Sequence, residues 1–175
     1  MNPEKWHPWT ALLPSPVINN VATLGKLGYL GKAPGTNGSV AGVLLYTVVF
    51  FPLHPFFYLL MLALWIYLSI AFCGEAENRL FKRDPGEVIL DEVVALPVCF
   101  LGLKGAIIAF GGWAWLILLA GFGLFRLFDI VKPFGIKKLQ SLPGGLGVVV
   151  DDLAAGLATC VCLHVLVRLT ASYFV

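Results

Sequence analysis

The sequence predicts an all-α fold: a polytopic membrane helical bundle of about five membrane segments, two hairpins plus a C-terminal span, with an interfacial N-terminal segment. Three observations predict it. Of the 175 residues, 59% are hydrophobic and only 13% charged, about half the charged fraction of an ordinary soluble domain. The mean hydropathy of +0.88 makes lipid the natural solvent, and excludes both disorder and a basic nucleic-acid binder. Lastly, the charges are gathered between long apolar runs rather than spread along the chain. The whole chain, 1–175, reads as a single membrane-embedded domain.

The first stretch, 1–32, carries Glu4, Lys5, Lys26 and Lys32. It has no long apolar core and no clean small-residue cleavage site, so it does not read as a cleaved signal. Within it, Leu12 to Gly31 contains Pro14, Pro16, Gly25, Gly28 and Gly31, and an interfacial, partly amphipathic segment is expected there. From Ala33 to Gly74 no residue is charged, a run of 42 positions. One straight helix of that length would reach about 63 Å, far beyond a hydrocarbon core of roughly 30 Å. Pro52-Leu53-His54-Pro55 removes two backbone donors, so the chain turns there: Val40 to Phe51 goes out and Phe56 to Cys73 returns.

Val93 to Phe125 repeats the situation, with 33 residues and one charge, Lys104. A second hairpin follows, its turn left open between Lys104 and Gly112. The final run from Leu153 to Val167 gives one last crossing. On this topology ten of the twelve basic residues and all ten acids fall on one face, and only Lys104 and Arg168 on the other. The positive-inside tendency makes the crowded face cytoplasmic, with the N-terminus inside and the C-terminus outside. Cys73, Cys99, Cys160 and Cys162 lie in apolar stretches without CxxC spacing, and read as small core residues rather than a metal or redox element.

Orientation needs only basic residues. Acids set against apolar runs, where an unpaired charge is costly, therefore point to a site. Four segments meet at the crowded face. In Pro34-Gly35-Thr36-Asn37-Gly38-Ser39, glycines expose amides and Thr36 or Ser39 can cap the following helix, a setting suited to a phosphate oxygen. A cap without a ligand is the plain alternative. In Asp84 to Glu92, Glu87 and Asp91 share a helix face at i, i+4, while Asp91 and Glu92 diverge by about 100°. Arg126, Asp129 and Lys132, spaced by three, form one polar stripe at a helix end. Finally, Gly144-Gly145-Leu146-Gly147 leads to Asp151-Asp152, with Ala154, Ala155 and Gly156 allowing another helix close.

Asp91, Glu92, Asp129, Asp151 and Asp152 are hard oxygen donors suited to Mg²⁺. His7, His54 and His164 lie in three separate places, which argues against zinc. With Arg126 and Lys132 to neutralise phosphate oxygens, the inventory is that of metal-assisted phosphoryl transfer to water. A small transporter or channel, using the same acids as a cation path, is the alternative. It predicts charges spread through the bilayer depth.

PGTNGS (34 to 39), DPGEVILDE (84 to 92), FRLFDIVKP (125 to 133) and GGLGVVVDD (144 to 152), in that order within residues 31–156, resemble the phosphatidylglycerophosphatase A family. Gly135, Ala95 and Val149 stand where the family often has proline, glycine and methionine. The resemblance implies a Mg²⁺-dependent lipid phosphatase of the bacterial inner membrane, in phospholipid biosynthesis. Facing the cytoplasm, it would take phosphatidylglycerophosphate to phosphatidylglycerol and phosphate. On that reading Asp91, Glu92, Asp129, Asp151 and Asp152 hold Mg²⁺, which polarises the phosphate and activates a water. Arg126 and Lys132 stabilise the equatorial oxygens, with Asp129 and Asp152 also counted as catalytic. Thr36, Asn37, Gly38, Ser39, Gly144 and Gly145 bind the substrate. The partners expected are the lipid substrate and the bilayer, without nucleic acid; the oligomeric state is left open.

Overall fold

The computed structural model describes residues 7–133 and 135–174, with side chains through residue 170. The expectation about the extreme N-terminus falls largely on 1–6, outside the described residues. Among the described residues all regular structure is helical. The predicted interfacial stretch is a 3₁₀ turn at Thr10–Leu12, the short helix α1 (Ser15–Ala22) and a second 3₁₀ turn at Leu27–Tyr29. Its prolines and glycines prevent one continuous amphipathic helix. Ile18 and Ala22 are buried, whereas Leu12, Tyr29 and Leu30 stay exposed.

Helix α2 (Pro34–Leu45) runs directly into a π-helical turn, Tyr46–Phe50. The chain then reverses at the two prolines, and His54 caps α3 (Pro55–Leu80) by accepting the Phe56 N–H at 3.4 Å. Arg79, near the end of α3, donates to the Thr10 carbonyl and the Ser15 hydroxyl, each at 3.1 Å, and so ties the N-terminal segment to the bundle.

Helix α4 (Leu90–Cys99) is buried at every position but Glu92. Protein surrounds it, so its 10-residue length need not match the bilayer. Pro97 helps to end it, and the Pro97 carbonyl accepts both from the Phe100 N–H at 3.2 Å and from the Tyr58 hydroxyl at 2.5 Å. The second reversal is spread over the turn after Cys99, the short α5 (Lys104–Ala109) and a 3₁₀ turn at Gly111–Trp113. Here Lys104 donates to the carbonyls of Pro52 and Leu53 at 3.2 and 3.1 Å, pinning the tips of the two hairpins together. The chain returns as α6 (Ala114–Val131) and finishes in α7 (Gly145–Phe174). Packed against α3, α4 and α6, α7 is the central helix.

Among the described residues, three helical stretches are long and apolar enough to cross a membrane: Pro55–Leu80, Gly111–Val131 and Gly145–Thr170. The other two segments expected to cross, α2 with its π turn and α4, are shorter than that: α4 is buried among the other helices, whereas α2 packs on α4 and leaves Val40, Leu44 and Val48 exposed. The main core lies between them, where Tyr46 stacks on Phe100 at 4.4 Å beside the buried Phe50, Leu96, Phe125 and Leu163.

Candidate active site

The starts of α2, α4 and α7 and the end of α6 meet at one end of the bundle, and that is where the polar residues collect. Pro34 sits at the first turn of α2, where its fixed φ suits a helix start. The segment 34 to 39 is therefore helix, and not the capping turn expected. Ala33 occupies the cap position without a side-chain cap. Gly35, Gly38 and Gly42 instead line the side of α2 that meets α4. A Cβ on Gly38 would lie 2.2 Å from Glu92 Oε2, and one on Gly35 2.2 Å from Glu92 Oε1 and 2.9 Å from Arg126 Nη1. The two glycines are thus the space in which Glu92 and Arg126 meet.

Arg126 is the hub. Its Nη1 donates to Asp129 Oδ2 at 2.7 Å, to Glu92 Oε1 at 3.1 Å and to Ser39 Oγ at 3.5 Å. Ser39 is fully buried and donates in turn to the Gly35 carbonyl at 2.8 Å. One turn on, Lys132 stands 3.7 Å from Asp129 Oδ1 and bonds Asp151 of α7. The predicted stripe of Arg126, Asp129 and Lys132 is present, and it continues across helices: Glu92, Arg126, Asp129, Lys132 and Asp151 form one chain of alternating charge. Asp91 and Asp152 are buried to 5% and 4% exposure, and lie near enough for their charges to repel.

Two groups at this end lie outside the long apolar helices. Burial, opposed by the Arg126 guanidinium and reinforced by the charge on Asp129, pushes the Glu92 carboxyl up to about 7. For Lys132 burial acts downward, but its hydrogen bond with Asp151 and the charges of Asp151, Asp152 and Asp129 together raise the ammonium above the ordinary lysine value.

Other predicted residues have different surroundings. Asn37 donates to the Leu27 and Leu30 carbonyls at 3.3 and 2.7 Å, fastening the preceding 3₁₀ turn to α2. Thr36 is half-buried in the first turn of α2. Gly144 is an exposed turn residue with φ +58. Gly145 is a packing position, since a Cβ there would lie 1.9 Å from the Ile70 carbonyl. Because α7 already begins at Gly145, Asp151 and Asp152 sit in its second turn instead of ahead of it. Glu87 precedes α4 and pairs with Lys82 at 3.3 Å, so it shares no helix face with Asp91.

Sequence reasoning overlooked a clasp beside the site. The Arg83 guanidinium donates to the Gln140 carbonyl, and the Gln140 amide donates to Asp84 Oδ2 at 3.1 Å. This joins the α3–α4 and α6–α7 connections. The only hint in the sequence was the polarity of both loops.

Two carboxylate oxygens, Glu92 Oε2 and Asp151 Oδ1, are buried without a hydrogen-bond partner. Such orphaned acceptors are costly, and a hard divalent cation would satisfy them. Among the described residues no three histidine, cysteine or acidic side chains converge as a ready cage. Mg²⁺ needs none, because it usually takes one or two carboxylates together with waters and phosphate oxygens. The donor set fits that ion.

The family description phosphatidylglycerophosphatase A matches residues 20–167. A Bacteroides thetaiotaomicron protein provisionally named phosphatidylinositol-3-phosphatase is 34% identical, over 79% of this chain and 86% of its own. The phosphatidylglycerophosphatase A proteins of Haemophilus influenzae and Escherichia coli are 32% and 29% identical, over 74% and 75% of this chain and 76% and 72% of theirs. No solved structure matches the chain.

Proposed function

The chain belongs to the phosphatidylglycerophosphatase A family, and from that premise we propose that it is a lipid phosphomonoesterase. It removes the terminal phosphate of phosphatidylglycerophosphate to leave phosphatidylglycerol, in phospholipid biosynthesis, at the cytoplasmic face of the bacterial inner membrane. The observation that carries this reading is the ionic chain on α6, in which Arg126 and Lys132 are held by acids from three helices.

Arg126 and Lys132 bind the phosphate and offset charge on its equatorial oxygens as the transition state forms. Ser39, on the α2 side of Arg126, accepts from the guanidinium and orients it. Glu92, Asp151 and Asp129, with Asp91 and Asp152 behind them, would hold Mg²⁺. When bound, that ion supplies Lewis-acid neutralisation of the phosphoryl oxygens. An acid of this set not engaged with the ion takes the proton of the attacking water. As the P–O bond breaks, the leaving glycerol oxygen takes up the proton that this acid received, and departs as a hydroxyl. The low exposure of these side chains limits bulk water around the charges, which strengthens each electrostatic contact.

A second headgroup is favoured by one observation, the name carried by the Bacteroides relative. Both lipids are phosphomonoesters of a glycerophospholipid, so the same arginine and lysine would serve either. The test is phosphate release by the purified chain in detergent from phosphatidylglycerophosphate, phosphatidylinositol 3-phosphate and a soluble phosphomonoester. We expect the first lipid to be hydrolysed fastest and only with Mg²⁺ present, with activity lost in Asp129→Asn and Asp152→Asn proteins that still fold. Full activity in EDTA would remove the metal from the scheme, and preference for the soluble ester would remove the lipid.

A further inference from the structure

The same α2–α6 seam that carries Arg126 and Ser39 at one end opens at its other end into an apolar cavity of about 390 Å³. Tyr46, Thr47, Phe51, Ile107, Ala114 and Leu118 line it. The two helices run antiparallel along this seam: Ser39 meets Arg126 at 3.5 Å, while Thr47, further along α2, faces the cavity with Leu118, further back along α6. We propose that this cavity seats the far end of one fatty acyl chain of the phospholipid whose phosphate is held at Arg126.

Depth is the first argument. At 1.5 Å per helical residue, Tyr46 to Phe51 lie roughly 10 to 18 Å below Ser39, and Leu118 to Ala114 roughly 12 to 18 Å below Arg126. One leaflet of a hydrocarbon core is roughly 15 Å thick, so a lipid with its phosphate in the ionic chain brings its chain ends to this level. Chemistry is the second. The walls are apolar or aromatic, with two hydroxyls on the α2 side, those of Tyr46 and Thr47, and that of Thr47 is spent on the Val43 and Leu44 carbonyls at 3.1 and 2.9 Å. The volume falls within the roughly 300 to 1,000 Å³ of ordinary ligand sites.

Local geometry is the third. The cavity wall on α2 is the π-helical turn Tyr46–Phe50. Such turns are rare and are frequent at functional sites. Opposite stands Gly111, with φ +52 and nothing within 4 Å of where its Cβ would be, so the wall is bare there.

This inference rests on the lipid phosphomonoesterase reading for its substrate, but it has its own readout. In nanodiscs, a phospholipid carrying a diazirine at the end of one acyl chain should cross-link to peptides containing residues 46–51 or 114–118. Cross-links confined to the outward faces of α3 and α7 overturn the proposal. In the activity assay, Ala114→Phe puts a phenyl ring into the cavity and narrows it. It should lower kcat/KM on the dipalmitoyl substrate by roughly tenfold or more, while the dihexanoyl substrate changes by less than about twofold. Each methylene seated is worth roughly three- to fourfold. An equal fall on both substrates, with cross-links elsewhere, refutes the seat. Leu118→Ala, which enlarges the cavity, should shift preference toward longer chains, and an unchanged preference counts against it. If the wild type hydrolyses no phospholipid yet cross-links at the cavity, the reaction assignment fails and the acyl seat stands.

Discussion

At the scale of single residues, the site depends on side chains that are missing as much as on those present. A methyl on Gly38 would meet Glu92 Oε2 at 2.2 Å and the Ile89 side chain and carbonyl at 3.0 and 3.1 Å. The Glu92 carboxylate is the movable party, so Gly38→Ala should drive it out of its pair with Arg126. We expect a loss of activity of ~10²-fold with a modest stability cost of about 1–3 kcal/mol, read by phosphate release and thermal melting of the same preparation. Arg126→Lys keeps the charge but loses the guanidinium whose Nη1 meets Glu92, Asp129 and Ser39, and with it the second nitrogen of the fork that could clasp a phosphate. Its expected cost is ~10²-fold in kcat, with a folded protein by circular dichroism. A variant as active as wild type would mean that the guanidinium only braces the helices. Arg126, Asp129 and Lys132 were legible in the sequence because a spacing of three has one structural meaning on a helix. Gly35 and Gly38 were misread as a loop, since glycine serves a turn and a close contact equally well, and only the partner, Glu92, distinguishes them.

At the scale of elements, the decisive contacts are those between backbones. Gly145 at the start of α7 faces Gly74 of α3, and a Cβ on it would meet the Ile70 carbonyl at 1.9 Å and the Gly74 nitrogen at 2.8 Å. Neither atom can swing aside as a carboxylate can. Gly145→Ala should therefore separate α3 from α7, costing more than about 3 kcal/mol and abolishing a cooperative melt. Its neighbour Gly144, with φ +58 and open space around it, should lose only about 1 kcal/mol on changing to alanine. The reverse ranking in thermal melts would contradict this account of the contact. Spans and turns were legible where composition decides them: Pro52 and Pro55 mark the first reversal, and the long uncharged runs mark α3, α6 and α7. The shortness of α4 was not, because Val93 to Phe125 is apolar throughout save for Lys104, and an apolar residue reads alike against protein and lipid. Only tertiary packing makes α4 a buried segment.

At the scale of the whole molecule, two ends of different character follow from the fold. One holds the ionic chain and the loop clasp, and the other the hairpin tips joined through Lys104. Single cysteines at Lys82 and Lys138, in a background freed of the native cysteines, should be labelled by a membrane-impermeant maleimide only after the cells are opened. A cysteine at His54 should be labelled in intact cells. Labelling of Lys138 from outside would invert the orientation and with it the assignment of the reacting leaflet. The joining of distant segments was foreseeable from the hairpins, but the order of partners was not. Nothing in the sequence says that Lys132 bonds Asp151 while Arg126 takes Glu92, because that choice is made by how α4 and α7 lie against α6.

The occupied state of Arg126 has a bearing on which lipids can linger. Its charge is already shared between two carboxylates, so at rest Arg126 is not a bare cation for the abundant phosphodiesters around it, each bringing a single negative charge. A terminal phosphate, with about −1.5 to −2 at neutral pH, competes with those carboxylates on far better terms. If Arg126 is the phosphate group's partner, as proposed, self-neutralisation would work as a threshold, passing the rare dianionic headgroup while the surrounding sea of monoanions slides by.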